Sequence, residues 1–148
     1  GREGRRIKAN YGLDPRLGKY HRSYCLACRK RLEGDPPVLR CPVSDRHRVV
    51  VGVKDRLGAI ADRRSPLMKE RPPYNYQIPL DFIPGVGPRT IDRLIGYFGS
   101  EMNILHRAEF EELAGVVKEA IARKIILARE GSMDIEAGGG GTYGKVET

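Results

Sequence analysis

The 148-residue sequence predicts an α+β protein in two parts: a small β-rich, zinc-ribbon-like module followed by an all-α tandem helix-hairpin-helix module. Three observations predict this. Cys25, Cys28 and Cys41 are spaced C-x2-C-x12-C, with Pro42 directly after the third. A Pro-Gly-Val-Gly turn at residues 84–87 separates two segments of helical periodicity. The charge also divides along the chain. Residues 1–72 hold 19 Lys/Arg against 8 Asp/Glu, and residues 73–148 hold 8 against 11.

Residues 1–23 read as a lead-in linker, rich in Gly, Arg and Lys and poor in periodicity. The zinc-ribbon-like module covers 24–72. Its turn signals, "EGDPP" and "CPVSD", alternate with the short β-prone runs "VLRC" and "RVVVGV". A short helix closes it, with Val53, Leu57, Ile60 and Ala61 spaced as one buried face. Three interruptions by proline in "SPLMKERPPYNYQIP" mark the module boundary.

The tandem helix-hairpin-helix module covers 73–131. "IPLDFI" is a short helix, and "PRTIDRLIGYF" is a second with Ile91, Leu94, Ile95 and Phe98 inward and Gly99 after its end. Ser100 is placed to cap "EMNILHR", and "AEFEEL" starts the next helix with acids in its first turn. The last helix, about 117–129, buries Val117, Ile121, Ile125 and Ala128, and Gly131 stops it. The turn near Gly115 reads as a degenerate second hairpin, with Val117 where its second glycine would fall. Residues 132–148 read as a flexible Gly-rich tail.

Composition sets the functional class. A domain half this basic is suited to a polyanion, most simply nucleic acid. No apolar run approaches the roughly 18 residues of a membrane helix, so a cytoplasmic protein without a membrane partner is expected. Three cysteines, two in a CxxC, suit a metal site better than a disulfide framework. The first residue is Gly rather than Met, as in a piece of a longer protein.

Two candidate sites follow. Gly85 and Gly87 permit φ > 0 and leave no side chain between backbone and ligand. The amides that open the next helix then face outward at the positive end of its dipole, a site for a DNA phosphate. Val86 plugs between the helices, and Arg89 and Thr90 are placed to touch the same phosphate. At the second site Cys25, Cys28 and Cys41 supply three thiolates to a structural zinc ion. His47 is the first choice for the fourth ligand, with His21, Asp45 and Ser44 as alternatives. His106 reads as a surface or packing residue.

Several segments, in this order, resemble the C-terminal part of the endonuclease Q-type, PHP-domain DNA repair proteins. They are "GKYH" at 18–21, the Cys25/Cys28/Cys41-Pro42 cluster, "GVKDRL" at 52–57, "ERPPY" at 70–74, the helical end and "GGGGTYGKV". Ser44 stands where the family has its fourth cysteine. The resemblance implies a parent with an N-terminal, metal-dependent PHP phosphoesterase domain that cuts DNA beside deaminated bases. The zinc and helical parts would help to bind that DNA. No catalytic constellation is expected in this chain alone, so it is read as the DNA-binding accessory region of a repair endonuclease. The alternative is a zinc-stabilised protein-interaction scaffold, docking a partner on the acidic "AEFEEL" face and the tail.

Overall fold

A computed structural model describes residues 7–62 and 72–147. The first six residues of the expected lead-in and residues 63–71 of the expected boundary lie outside the described residues. The chain forms two compact units: one from residues 1–14, 72–134 and 146–148, the other from 15–71 and 135–145. These bounds differ from those read in the sequence. The expected lead-in and tail are each divided between the units, because their interiors pack on one another.

The first unit opens with strand β1 (Asn10–Leu13), paired in parallel with β5 (Tyr74–Gln77) in the register Asn10↔Tyr74 to Leu13↔Gln77. A short 3-10 helix, Leu80–Phe82, precedes the helices α2 (Pro88–Phe98), α3 (Glu101–His106), α4 (Phe110–Val116) and α5 (Glu119–Glu130). Leu80, Ile83, Leu94, Ile104, Leu113 and Ile125 are its large, fully buried side chains. Ile95, expected among them, is 37% exposed, since Leu94 alone of α2 points straight into the core. In α5 the inward face is Ala122, Ile125 and Ala128, one residue on from the Ile121 expected there.

Local signals for the helix ends act as the residues suggest. Ser100 Oγ accepts from Asn103 N at 3.2 Å, and Gly99 and Gly131 close α2 and α5 in the left-handed region. The Arg129 guanidinium ends α3 from a distance. It donates to the carbonyls of Ile104, Leu105 and Ala108 at 3.0, 2.9 and 2.6 Å, satisfying acceptors that the helix end leaves unpaired. His106 packs edge-on against Tyr11 and lies 2.7 Å from Gln77 Nε2, as a packing residue does.

The second unit holds a three-stranded sheet in the order β3 (Lys30–Arg31), β2 (Tyr24–Cys25), β4 (Val49–Val50), with helix α1 (Val53–Ile60) behind β4 in sequence. The run "VLRC" forms no strand. Residues 15–22 belong here, with Leu17 fully buried. Tail amides hold them: Gly138 N donates to Arg16 O at 2.7 Å and Gly144 N to Leu17 O at 2.9 Å. A Cβ on Gly138 would lie 2.3 Å from Gly18 O, so this close approach needs glycine. The glycines read as tail flexibility instead permit packing. Strand β6 (Asp134–Glu136) pairs with β7 (Lys145–Glu147).

Helix α1 turns opposite to its apolar periodicity. Val53, Leu57 and Ile60 are each more than half exposed, while Asp55 is fully buried. Its carboxylate accepts from Ser23 N and Val38 N, both at 2.9 Å, and lies 3.6 Å from Arg22 Nε. Burial acts to raise the Asp55 pKa. The amides of Val38 and Ser23, the Ser23 hydroxyl and Arg22 outweigh it and hold the group below its ordinary 3.8. Two charge-assisted bonds in a buried site outweigh an apolar stripe of three residues, and they set the rotation of the helix.

Asp55→Ala is expected to destabilise the folded chain by about 3 kcal/mol, read by denaturant unfolding. Because the folded carboxyl titrates below the unfolded one, its contribution is full above the unfolded value. It is lost as pH falls through the folded value. An acid-unfolding curve of Asp55→Ala is therefore expected to lack part of the wild-type loss below pH ~4.

Candidate metal centre and nucleic-acid interface

Four donors converge in the second unit. Cys25, Cys28, Cys41 and His47 place their ligand atoms within 4.8 Å of one another. His47 Nδ1 lies 3.7, 3.3 and 3.4 Å from the sulfurs of Cys25, Cys28 and Cys41, and the last two sulfurs are 3.7 Å apart. Thiolates ~2.3 Å and an imidazole ~2.0 Å from one tetrahedral ion would lie about 3.5–3.8 Å from each other. The donor set therefore fits a metal ion.

The sequence builds this set from two turns. Cys25 ends β2, and the Cys28 amide donates to Cys25 Sγ at 3.4 Å, closing the first turn. The second turn runs from Cys41 to His47, where His47 N donates to Ser44 O at 3.1 Å. That bond carries the chain past Ser44 and brings the imidazole back to the thiols. Ser44 Oγ instead accepts from Arg46 N at 3.3 Å, and Asp45 is exposed, 3.9 Å from Arg40. Asp45 and His21 stand outside the cluster. Cys25 and Cys41 are buried with Leu32, and Cys28, Val38 and Val49 pack against them.

Crowded sulfurs share protons unequally. Hydrogen bonds to Cys25 and Cys41, with burial behind them, push the Cys28 thiol up to about 11. Burial also works to raise Cys41, but the amides of Val43 and Ser44 and the His47 imidazole bring it down to about 6. Without a cation the cluster keeps a proton on Cys28. A metal ion among the donors displaces it.

Asp55 is the positioning residue that sequence reasoning missed. It holds Ser23, two residues before Cys25, and Val38, three before Cys41. Gly52 N, on the segment after His47, donates at 3.0 Å to the hydroxyl of the same Ser23. The signal that could have revealed it is the single acid of α1, which has no basic residue three or four positions away to pair with along the helix.

The expected phosphate hairpin lies in the first unit. Ile83 and Val86 are buried, and Gly85, Gly87 and Arg89 are exposed, with Thr90 half-buried. Of the two glycines only Gly85 has positive φ, at +91°. Gly87 is extended, with φ −99° and ψ 174°, and caps α2 with Pro88 in its first turn. Among the described residues, chain neighbours aside, no heavy atom lies within 4 Å of where a Cβ on either glycine would sit. Lys124 Nζ from α5 donates to Pro84 O at 3.1 Å, tying the turn to the last helix and setting a cation beside it. The second, degenerate turn differs from expectation. Gly115 lies inside α4, and Val117 and Lys118 make the connection to α5 with Val117 buried. The turn is set by packing of Val117, with no glycine in it.

No family model matches the chain. Crystal structures of two DNA-acting endonuclease chains superpose on it across its length. The lesion-specific endonuclease PfuEndoQ from Pyrococcus furiosus is 32% identical, with a TM-score of 0.76, over 99% of this chain and 39% of that one. Endonuclease Q in complex with a 27-mer duplex substrate, an abasic lesion at its active site, is also 32% identical, with a TM-score of 0.77 over 99% and 40%.

Among curated proteins, the uncharacterized protein YqxK of Bacillus subtilis is 47% identical over 99% of this chain and 37% of its own length. The uncharacterized protein MJ0043 of Methanocaldococcus jannaschii is 34% identical over 95% and 19%. The chain thus spans about two-fifths or less of each relative it matches. None of the described helices is long and apolar enough to cross a membrane.

Titration with cobalt(II), which reports tetrahedral thiolate coordination by its absorption, is expected to saturate at one ion per chain. His47→Ala is expected to weaken uptake at least tenfold. Protons compete for the sulfurs, so affinity is expected to fall with pH throughout the neutral range, where Cys28 must give up its proton, and more steeply below about 6, where Cys41 is protonated as well.

Proposed function

We propose that this chain is a DNA-binding region of a lesion-acting repair endonuclease whose catalytic PHP domain lies in the parent protein. The observation that carries the reading is the match across 99% of the chain to endonuclease Q, including its complex with a lesion-bearing duplex. The role is accessory. This chain binds and orients DNA, and the phosphodiester chemistry belongs to the partner domain.

In this reading zinc is the ion held by Cys25, Cys28, Cys41 and His47. When bound it supplies a structural crosslink between two turns, in a unit whose strands are too short to hold themselves. The residues around it do the rest: Asp55 sets the turns, and Leu32, Val38 and Val49 shield the sulfurs from water.

The hairpin from Gly85 to Thr90 grips a backbone phosphate. Gly85 is glycine because its φ demands it. Gly87 has no such demand, and among the described residues nothing beyond its chain neighbours occupies the space beside it. A close-approaching ligand accounts for glycine there, as a side chain would stand between phosphate and backbone. Arg89 and Thr90 add side-chain contacts to the same phosphate, and Val86 holds the turn in the core.

The two glycines therefore separate stability from binding. Gly87→Ala is expected to lower stability only by the weaker N-cap, about 0.5 kcal/mol, and to weaken duplex DNA binding roughly tenfold. Gly85→Ala is expected to cost about 1 kcal/mol of stability as well. Fluorescence anisotropy over a salt series checks both. Weak binding that vanishes at modest salt and ignores Gly87 would point to the scaffold function and a protein partner.

A further inference from the structure

The second unit contains a cleft of about 470 Å3 that the hairpin reading leaves unused. One wall is the β2–β3 turn with Arg29, Lys30 and Arg31, and the other is the tail from Glu136 to Lys145. Arg31 clasps the tail: it pairs with Glu136 at 2.7 Å and donates to the Ala137 carbonyl. That leaves Arg29, Lys30 and Lys145 lining the cleft with no acid paired to them among the described residues, against one unpaired acid, Glu33. Lys19 adds charge at the rim, its Nζ 4.5 Å from the centre of the Tyr143 ring.

Arg29 carries the argument further. Its φ is +53°, and it is the single non-glycine residue with positive φ among those described. It directly follows Cys28, where the turn that brings the two thiols together must reverse. Glycine adopts that conformation freely, whereas an L side chain is strained in it. The position nevertheless carries an arginine, exposed and without an internal partner. The thiol turn accounts for the backbone conformation, but no contact among the described residues accounts for arginine there in place of glycine, so the side chain serves something outside the protein.

We infer that the cleft is a phosphate-oxyanion site built from Arg29, Lys30 and Lys145. It is mounted on the metal turn, so that the fold of the metal site positions the guanidinium. The ligand carries closely spaced phosphate groups. A DNA strand is the first source, and that part of the inference rests on the DNA-binding reading; a free polyphosphorylated small molecule is the second. Cations on a rigid turn and a clamped tail meet successive phosphates without first having to be ordered.

The test uses Arg29→Gly and Lys145→Ala in the full 148-residue, metal-loaded chain, with Gly87→Ala alongside. The probes are inorganic tripolyphosphate by calorimetry and a fluorescent duplex DNA by anisotropy in a salt series. Arg29→Gly is expected to hold or raise the thermal midpoint, since glycine relieves the strain, and to weaken binding three- to tenfold. Lys145→Ala is expected to weaken binding similarly. For DNA, each lost contact is expected to lower the salt slope by about 0.9.

Loss confined to DNA identifies the strand as ligand, and loss confined to tripolyphosphate identifies a small phosphorylated ligand. Unchanged binding of both probes by both variants overturns the inference. So does binding that falls only in step with the thermal midpoint, or a wild-type chain that binds neither probe. Wild-type binding of tripolyphosphate without DNA would leave this site standing and refute the DNA-binding function instead.

Discussion

The buried carboxylate of Asp55 is the constraint on which the unit with the thiol–imidazole cluster depends. A single side chain accepts the amides of Ser23 and Val38 and faces Arg22, and Ser23 in turn accepts the amide of Gly52. These are the segments that deliver Cys25, Cys41 and the chain beyond His47. Two-residue strands cannot fix three loops by themselves. An ionised group that is out of water holds them because breaking any of its bonds leaves a buried charge uncompensated. The same requirement turns α1 so that Val53, Leu57 and Ile60 face outward. Fidelity at the metal donors therefore has priority over burial of an apolar stripe.

The two units solve the problem of size differently. The helical unit has a conventional core of leucine and isoleucine, and its termini are closed by Ser100, Gly99, Gly131 and the reach of Arg129 to three carbonyls. The other unit has little apolar volume. It relies on the thiol cluster, the Asp55 network and a tail whose glycines allow backbone to lie against backbone at Arg16 and Leu17. The helical unit offers a backbone turn open to a ligand, and the other offers cations fixed on a rigid turn.

The match to endonuclease Q agrees with the resemblance read from ordered short motifs, although each motif alone is weak. Several of the residues in those motifs do structural work here. Gly18 meets Gly138, Gly52 is held by Ser23, and the tail glycines close on residues 16–22.

Local signals determined much of this protein. Cysteine spacing, the Pro-Gly-Val-Gly turn, the serine cap and the terminal glycines act within a few residues, where bond geometry and capping chemistry decide the outcome. His47 was legible as a candidate donor for the same reason, since its loop is one short turn beyond Cys41. The tertiary structure decided the rest: the pairing of residues 10–13 with 74–77, the closure of the tail on residues 16–22, and the inward turn of Asp55. Each joins residues distant in sequence through backbone hydrogen bonds or a buried charge, which no periodicity records. The fold of Gly85 and the openness beside Gly87 divide in the same way. A glycine can be seen in a sequence, but whether its φ or its neighbour's absence requires it exists only in three dimensions.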